Sequence, residues 1–202
     1  MKIKGIDIMK LKIAKFFRIL TVAPIMALAA LCSLYAANSQ FFGESVLNLA
    51  LAIVFLTVLP LLAYPLQPII PHFRGKGREG QRNLAMLFAV GGYIFGCVTN
   101  LFLKAPIQLW VIYLEYLLSG LLILIINKAF RLRASAHACG VAGPAVMLAY
   151  FGIPAALIIG TVLYVAAFWS SLCMKRHTWQ QFVGGTLIPI LVLAALHLTL
   201  ML

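Results

Sequence analysis

Seven apolar stretches take up most of this sequence: 17–37, 46–66, 84–103, 107–126, 136–152, 154–173 and 182–202. A helix needs about 20 apolar residues to cross the hydrocarbon of a bilayer, and each stretch comes near that length. Hydrocarbon offers no water to the backbone, so a span of this kind satisfies its own N–H and C=O groups as a helix. The rest of the composition agrees. Hydrophobic residues make up 64% of the chain and charged residues only 10%, against about 25% charged in a soluble domain. That is too little polar material to cover a water-facing surface. The expectation is an all-α, polytopic transmembrane helix bundle of about seven helices, forming a single integral membrane domain over 1–202. Before the first run, Lys alternates with Ile and Leu from Met1 to Lys15, as in an amphipathic segment lying on a membrane surface. That run continues through Ala37 with no small-x-small cleavage site after it, so it reads as a retained helix and not as a secretory signal.

The charge is lopsided: 16 Lys plus Arg face 4 Asp plus Glu. The basic residues lie between apolar runs and not on one soluble face, which argues against nucleic acid as a partner. Anionic lipid head groups suit them better. With the N-terminus in the cytoplasm and seven crossings, fifteen of the sixteen basic residues fall inside and only Lys104 outside. This is the distribution the positive-inside rule expects, and it gives a multi-pass protein of the cell membrane. The one long polar loop is 68–83. The turn at Gly152-Ile153-Pro154 separates two helices, because Pro cannot continue a helix and restricts the residue before it. Cys32, Cys97, Cys139 and Cys173 form no C-x-x-C pair and lie in or beside apolar runs. They read as buried free thiols, with no metal site, no disulfide framework and no cofactor.

Chemistry concentrates in two polar segments that this topology puts on one membrane side. The first runs from Asn127 to Gly140 and holds Lys128, Arg131, Arg133, Ser135 and His137. The second runs from Ser170 to Gly185 and holds Lys175, Arg176, His177 and Gln181. A helix beginning near Ser135 would offer free N–H groups and a dipole to an anion. Lys and Arg can neutralise a phosphate, and a histidine can attack it or protonate a leaving oxygen. Elsewhere, Glu115 is an ionisable group inside an apolar run, where such groups are costly and often functional. A hydrogen bond to a neighbouring helix is the plainer account of it. His72 and His197 read as interfacial or packing residues. Gly91, Gly92 and Gly96 form a small-residue face for close helix packing.

The order and spacing of these residues resemble the type 2 phosphatidic acid phosphatase superfamily, whose signature is K-x6-R-P, then P-S-G-H, then S-R-x5-H-x3-D. Ser135-Ala136-His137 stands where the second motif has Ser, Gly and His. Ser170-Ser171, five residues and His177 stand where the third begins. The first motif is blurred: Lys128, Arg131 and Arg133 precede Ser135 without an Arg-Pro pair. The motif-bearing helices run over 107–202. The resemblance implies that His177 is the nucleophile and forms a phosphohistidine, while His137 protonates the leaving alkoxide. It implies that Lys128, Arg131, Arg133 and Ser135 hold the phosphate. Two positions depart from the pattern: Ser171 replaces the motif Arg and Gln181 the Asp behind the nucleophile. Arg176 is the nearest charge to make up for the first. Restoring both, by Ser171→Arg with Gln181→Asp, is then expected to raise turnover. The implied activity is hydrolysis of a lipid-linked phosphate monoester or pyrophosphate. The alternative is a weakened relative that binds or carries phosphorylated lipids, and an unrelated transporter has little but the helix count behind it.

Overall fold

A computed structural model describes residues 2–130 and 133–200. Every regular element among them is helical: α1 (Lys2–Leu20), α2 (Ala23–Ala37), a 3-10 turn at Ser39–Phe42, α3 (Val46–Ile53), α4 (Leu59–Leu66), α5 (Gly77–Leu103), α6 (Ile107–Ala129), α7 (Ala136–Tyr150), α8 (Ala156–Cys173) and α9 (Trp179–Leu200). A π turn at Val54–Val58 joins α3 and α4 into one span. Five spans are long and apolar enough to cross a membrane: Val46–Leu66, Gly77–Leu103, Ile107–Ala129, Ala156–Cys173 and Trp179–Leu200. A sixth arises if α1 and α2 count as one bent span. The chain is an all-helical membrane protein.

Three expected stretches are built differently. The run 17–37 is not one helix. The amphipathic segment and its first residues form α1, and the chain bends by 48° before α2. Pro24 lies in the first turn of α2 and has no N–H to continue the ladder from α1. The stretch 136–152 is helical only over 15 residues, Ala136–Tyr150, which is short for a span. The loop 68–83 is shorter than expected, because α5 already begins at Gly77. Gln67 closes the turn before it by donating Nε2 to the carbonyls of Phe73 and Gly77, both at 3.1 Å.

Contacts resolve two compact units where the sequence reads as one domain: residues 1–26 with 122–202, and residues 27–121. Helices α2 and α6 each pass from one to the other. In the second unit, α5 packs against the α3–α4 span. Gly92 admits the Phe55 carbonyl and Gly96 admits the Tyr113 ring, so two members of the expected small-residue face serve close packing. Glu115 is buried there, with Ser119 Oγ at 3.4 Å one turn along the same helix.

The first unit carries the polar segments. Ser135 N donates to Gln181 O at 2.9 Å, and Tyr150 Oη meets His197 Nδ1 at 3.2 Å. Those pairs join the beginnings and then the far ends of α7 and α9, so the two helices run side by side in one direction. Helix α8 runs back between those ends, with Gly160 against Ala145. Over 15 residues α7 advances about 22 Å, most of the depth of its longer neighbours. Met26, Ala138, Val141, Ala167 and Phe182 form the core, packed by Leu163, Tyr164 and Phe168. At Gly185 a Cβ would strike the Ser135 carbonyl, so only glycine lets α9 approach the start of α7 this closely.

Candidate functional site

Three local devices place the polar side chains at one end of this unit. Helix α7 begins at Ser135, whose Oγ accepts the N–H of Ala138 at 3.2 Å. A cap of this kind is worth about 1 kcal/mol. Helix α8 ends in a Schellman turn. Arg176 N donates to Ser171 O and Lys175 N to Leu172 O, both at 2.9 Å. The left-handed position of such a turn normally falls to glycine. The turn after α7 obeys that preference with Gly152 at φ 86°, but here the residue is Lys175 at φ 50°. A left-handed non-glycine residue costs roughly 1–2 kcal/mol. Backbone strain of this kind clusters at functional sites, and Arg133 shares it at φ 54°. Helix α9 begins with a capping box. Thr178 N donates to Gln181 Oε1 at 3.2 Å, and Gln181 N donates to Thr178 Oγ1 at 3.3 Å. Between the Schellman turn and the capping box stand Arg176 and His177.

The first helix completes the end. Ala14 and Thr21 are fully buried and Arg18 half-buried. Their spacing of four and then three residues puts them on one face of α1, and α1 packs on α8. Arg18 Nη1 donates to Ser171 Oγ at 3.4 Å, and Ser171 is itself fully buried. Thr21 Oγ1 lies 3.1 Å from His137 Nε2. The Thr21 hydroxyl already gives its single proton to Phe17 O at 2.7 Å. Nε2 of His137 is therefore the donor to Thr21, and Nδ1 is the nitrogen left for other work. His137 also lies within electrostatic reach of both Arg18 and His177.

Of the residues read from the sequence, His137, His177, Ser135, Arg176 and Gln181 thus share this end. Several carry a different task from the one expected. Ser135 caps α7 from a fully buried position. The Gln181 amide serves the capping box, and its carbonyl holds Ser135. Lys128 and Arg133 stand exposed at the rim, at the end of α6 and before α7. Arg131 lies outside the described residues. Arg176 has its Nε buried with no hydrogen-bond partner among the described residues, and His177 has its Nδ1 buried.

Two participants were not foreseen, Arg18 and Thr21. Arg18 appears in the sequence only as the last of the N-terminal basic residues, and Thr21 as one polar residue in an apolar run. An open groove of about 480 Å³ next to Arg176 in sequence is lined by Lys10, Leu11, Cys173, Met174 and Lys175. The charge of the end is one-sided, since residues 122–202 contain no Asp or Glu at all. Two histidines, two half-buried guanidinium groups and two rim cations can hold an anion. The histidines add a nucleophile or a proton carrier. Comparison of this chain with protein-family models, with curated proteins and with solved structures found no match.

Proposed function

We propose that this protein is a membrane phosphatase that hydrolyses a lipid-linked phosphate monoester or pyrophosphate through a phosphohistidine on His177. The observation that supports it best is the gathering of basic side chains. Arg18, Arg176, His137 and His177 gather at one end of a unit whose stretch 122–202 holds no carboxylate. Guanidinium and imidazole groups set together suit the oxygens of a phosphate. The adjacent groove sets two lysines beside leucine and methionine, a lining suited to a phosphate head group whose chains remain in the bilayer.

The chemistry needs only water as co-reactant. With Nδ1 of His177 buried, Nε2 is the nitrogen that attacks. Its lone pair forms the N–P bond while the bond from phosphorus to the lipid oxygen breaks. That oxygen leaves as an alcohol, or as a lipid monophosphate from a pyrophosphate, taking the Nδ1 proton of His137 in its imidazolium form, while the Nε2 proton stays with Thr21. Water then attacks the phosphorus and gives a proton to Nδ1 of His137, the N–P bond breaks, and orthophosphate leaves with both histidines restored. Lys128 and Arg133 hold the phosphoryl oxygens from the rim, and Arg176 meets them from within. The partners are the phosphorylated lipid and the bilayer.

Phosphate release by purified protein in detergent tests the activity. Phosphatidate, phosphatidylglycerol phosphate and a polyprenyl pyrophosphate make the panel. Release from at least one is expected, and release from none would remove the reading. The alternative of a non-catalytic lipid binder draws on the Gln181 capping box, which leaves no acidic group to orient His177. It expects binding of the same lipids without turnover.

For orientation, we place the site and the N-terminal helix on the cytoplasmic face of the cell membrane. Arg18, Lys128, Arg133, Lys175 and Arg176 belong to that end. The far end of α9, beside Tyr150 and His197, is then external. An export-dependent reporter fused there should be active. A cytoplasm-dependent reporter active at that point would reverse the orientation.

A further inference from the structure

We propose that the open groove lined by α1 and the end of α8 binds an anionic phospholipid of the surrounding leaflet, one with a singly charged phosphodiester head group that the protein does not consume. This site is separate from the proposed hydrolysis and does not depend on it. Lys10 and Leu11 lie four and three residues before the buried Ala14, on the face by which α1 packs on α8. Cys173, Met174 and Lys175 come from the end of α8 and the turn that closes it. Two lysines from distant parts of the chain thus share one space with two large apolar side chains.

Lys175 supplies a second, independent observation. It takes the left-handed position of its turn at φ 50°, where the turn after α7 has Gly152 at φ 86°. Glycine would close the turn without strain. A lysine kept there against that preference marks a task for its side chain, and Lys175 is part of the groove lining.

Charge and setting name the occupant. In residues 1–26 and 122–202 the only acidic residue is Asp7, against the exposed Lys10, Lys12, Lys15 and Lys175. Helix α1 also exposes Ile8, Met9, Ile13 and Phe16 among its lysines, the pattern of a helix at the depth of lipid head groups. Of the phosphate head groups that this lining suits, the diester fits best. No arginine lines the groove. Ammonium groups are compact point charges without the fork that grips a phosphate monoester, and they suit the single charge of a diester. Leu11 and Met174 offer the glycerol and the first acyl methylenes an apolar wall.

Purified full-length protein in neutral detergent is titrated calorimetrically with dihexanoyl phosphatidylglycerol. Dihexanoyl phosphatidylcholine, dihexanoyl phosphatidate and orthophosphate are the comparison probes. Phosphatidylglycerol should bind at one site and phosphatidylcholine should not. Lys10→Gln and Lys175→Gln should each weaken the affinity roughly five-fold, the weight of one lysine near a lipid surface. Lys12→Gln and Lys15→Gln remove the same charge from the same helix outside the groove and should leave the affinity at its wild-type value. Lys175→Gly separates binding from folding, because it removes the cation and relieves the turn. Its melting temperature without lipid should equal or exceed that of the wild type, while the rise that phosphatidylglycerol gives should shrink.

Equal losses in Lys12→Gln or Lys15→Gln would overturn the proposal, since overall charge and not a site would then draw the lipid. So would phosphatidylcholine binding as tightly as phosphatidylglycerol, or a Lys175→Gly protein that keeps the full lipid-dependent rise. Binding of phosphatidate or orthophosphate that depends on Lys10 and Lys175, with none of phosphatidylglycerol, would overturn it by assigning the groove to substrate or to free phosphate. Groove-dependent phosphatidylglycerol binding without phosphate release from any lipid leaves this site standing and removes the hydrolase. Phosphate release without such binding does the reverse.

Discussion

His177→Ala should lower phosphate release by roughly 10³-fold or more on any substrate the wild type hydrolyses, because removing a nucleophile removes the reaction path and not one contact. Arg176 has no lone pair to offer, and His137 holds Thr21 with Nε2 and serves the leaving oxygen with Nδ1 in this route, so neither neighbour takes over the attack. His137→Ala should cost less, about 10²-fold on a monoester. On a pyrophosphate the cost should be smaller still, since that leaving group needs less protonation. Initial rates on one monoester and one pyrophosphate give both comparisons. Equal rates for wild type and His177→Ala would exclude the covalent route.

The largest effect on stability is expected at Phe182. Its ring is fully buried, in edge contact with Tyr164 and Phe168 at centroid distances of 5.2 and 5.3 Å. It directly follows Gln181, whose carbonyl holds the start of α7. Phe182→Ala leaves a cavity where α7, α8 and α9 meet, and such truncations cost about 3–5 kcal/mol. Phe182→Leu keeps most of the volume and should cost less than about 1.5 kcal/mol. Thermal unfolding in detergent should therefore rank wild type, Phe182→Leu and Phe182→Ala in falling order. Lipid phosphate binding should fail with the last, as the site end loosens. A Phe182→Ala protein as stable as wild type would mean that this core does not hold the two polar segments together.

The helices were legible because a membrane forces apolar residues into runs, and run length translates into span length. The break at Thr21 was not, because Pro24 and Thr21 lie inside a run whose hydropathy hides them. The site was legible as far as it is local. His137 with Ser135, and Arg176 with His177, each sit in one short segment that a helix start or a turn brings to the same place. Arg18 reaches Ser171 across 153 residues of sequence and Thr21 reaches His137 across 116. Only the packing of α1 on the other helices brings those pairs together, and no spacing in the sequence encodes it.

Gln181 is a different case. The sequence places it where an acidic partner of His177 would stand, but Thr178-x-x-Gln181 is also a capping-box pattern, and that is the role its side chain takes. The double replacement Ser171→Arg with Gln181→Asp changes its meaning accordingly. With Arg18 already beside Ser171, a second guanidinium meets a like charge in a buried place. Turnover should fall with it and not rise.

The central claim is a covalent intermediate on His177, and trapping it is the most direct measurement. Protein is mixed with a lipid phosphate or pyrophosphate labelled with ³²P in the terminal phosphoryl group, quenched in alkali and digested. A phosphohistidine survives alkali and is lost in acid, whereas an acyl phosphate is hydrolysed in alkali and a phosphoserine survives acid. The account predicts an alkali-stable, acid-labile label on the peptide that contains His177, absent from His177→Ala. Phosphate release with no such label, or with the label on another residue, would contradict it.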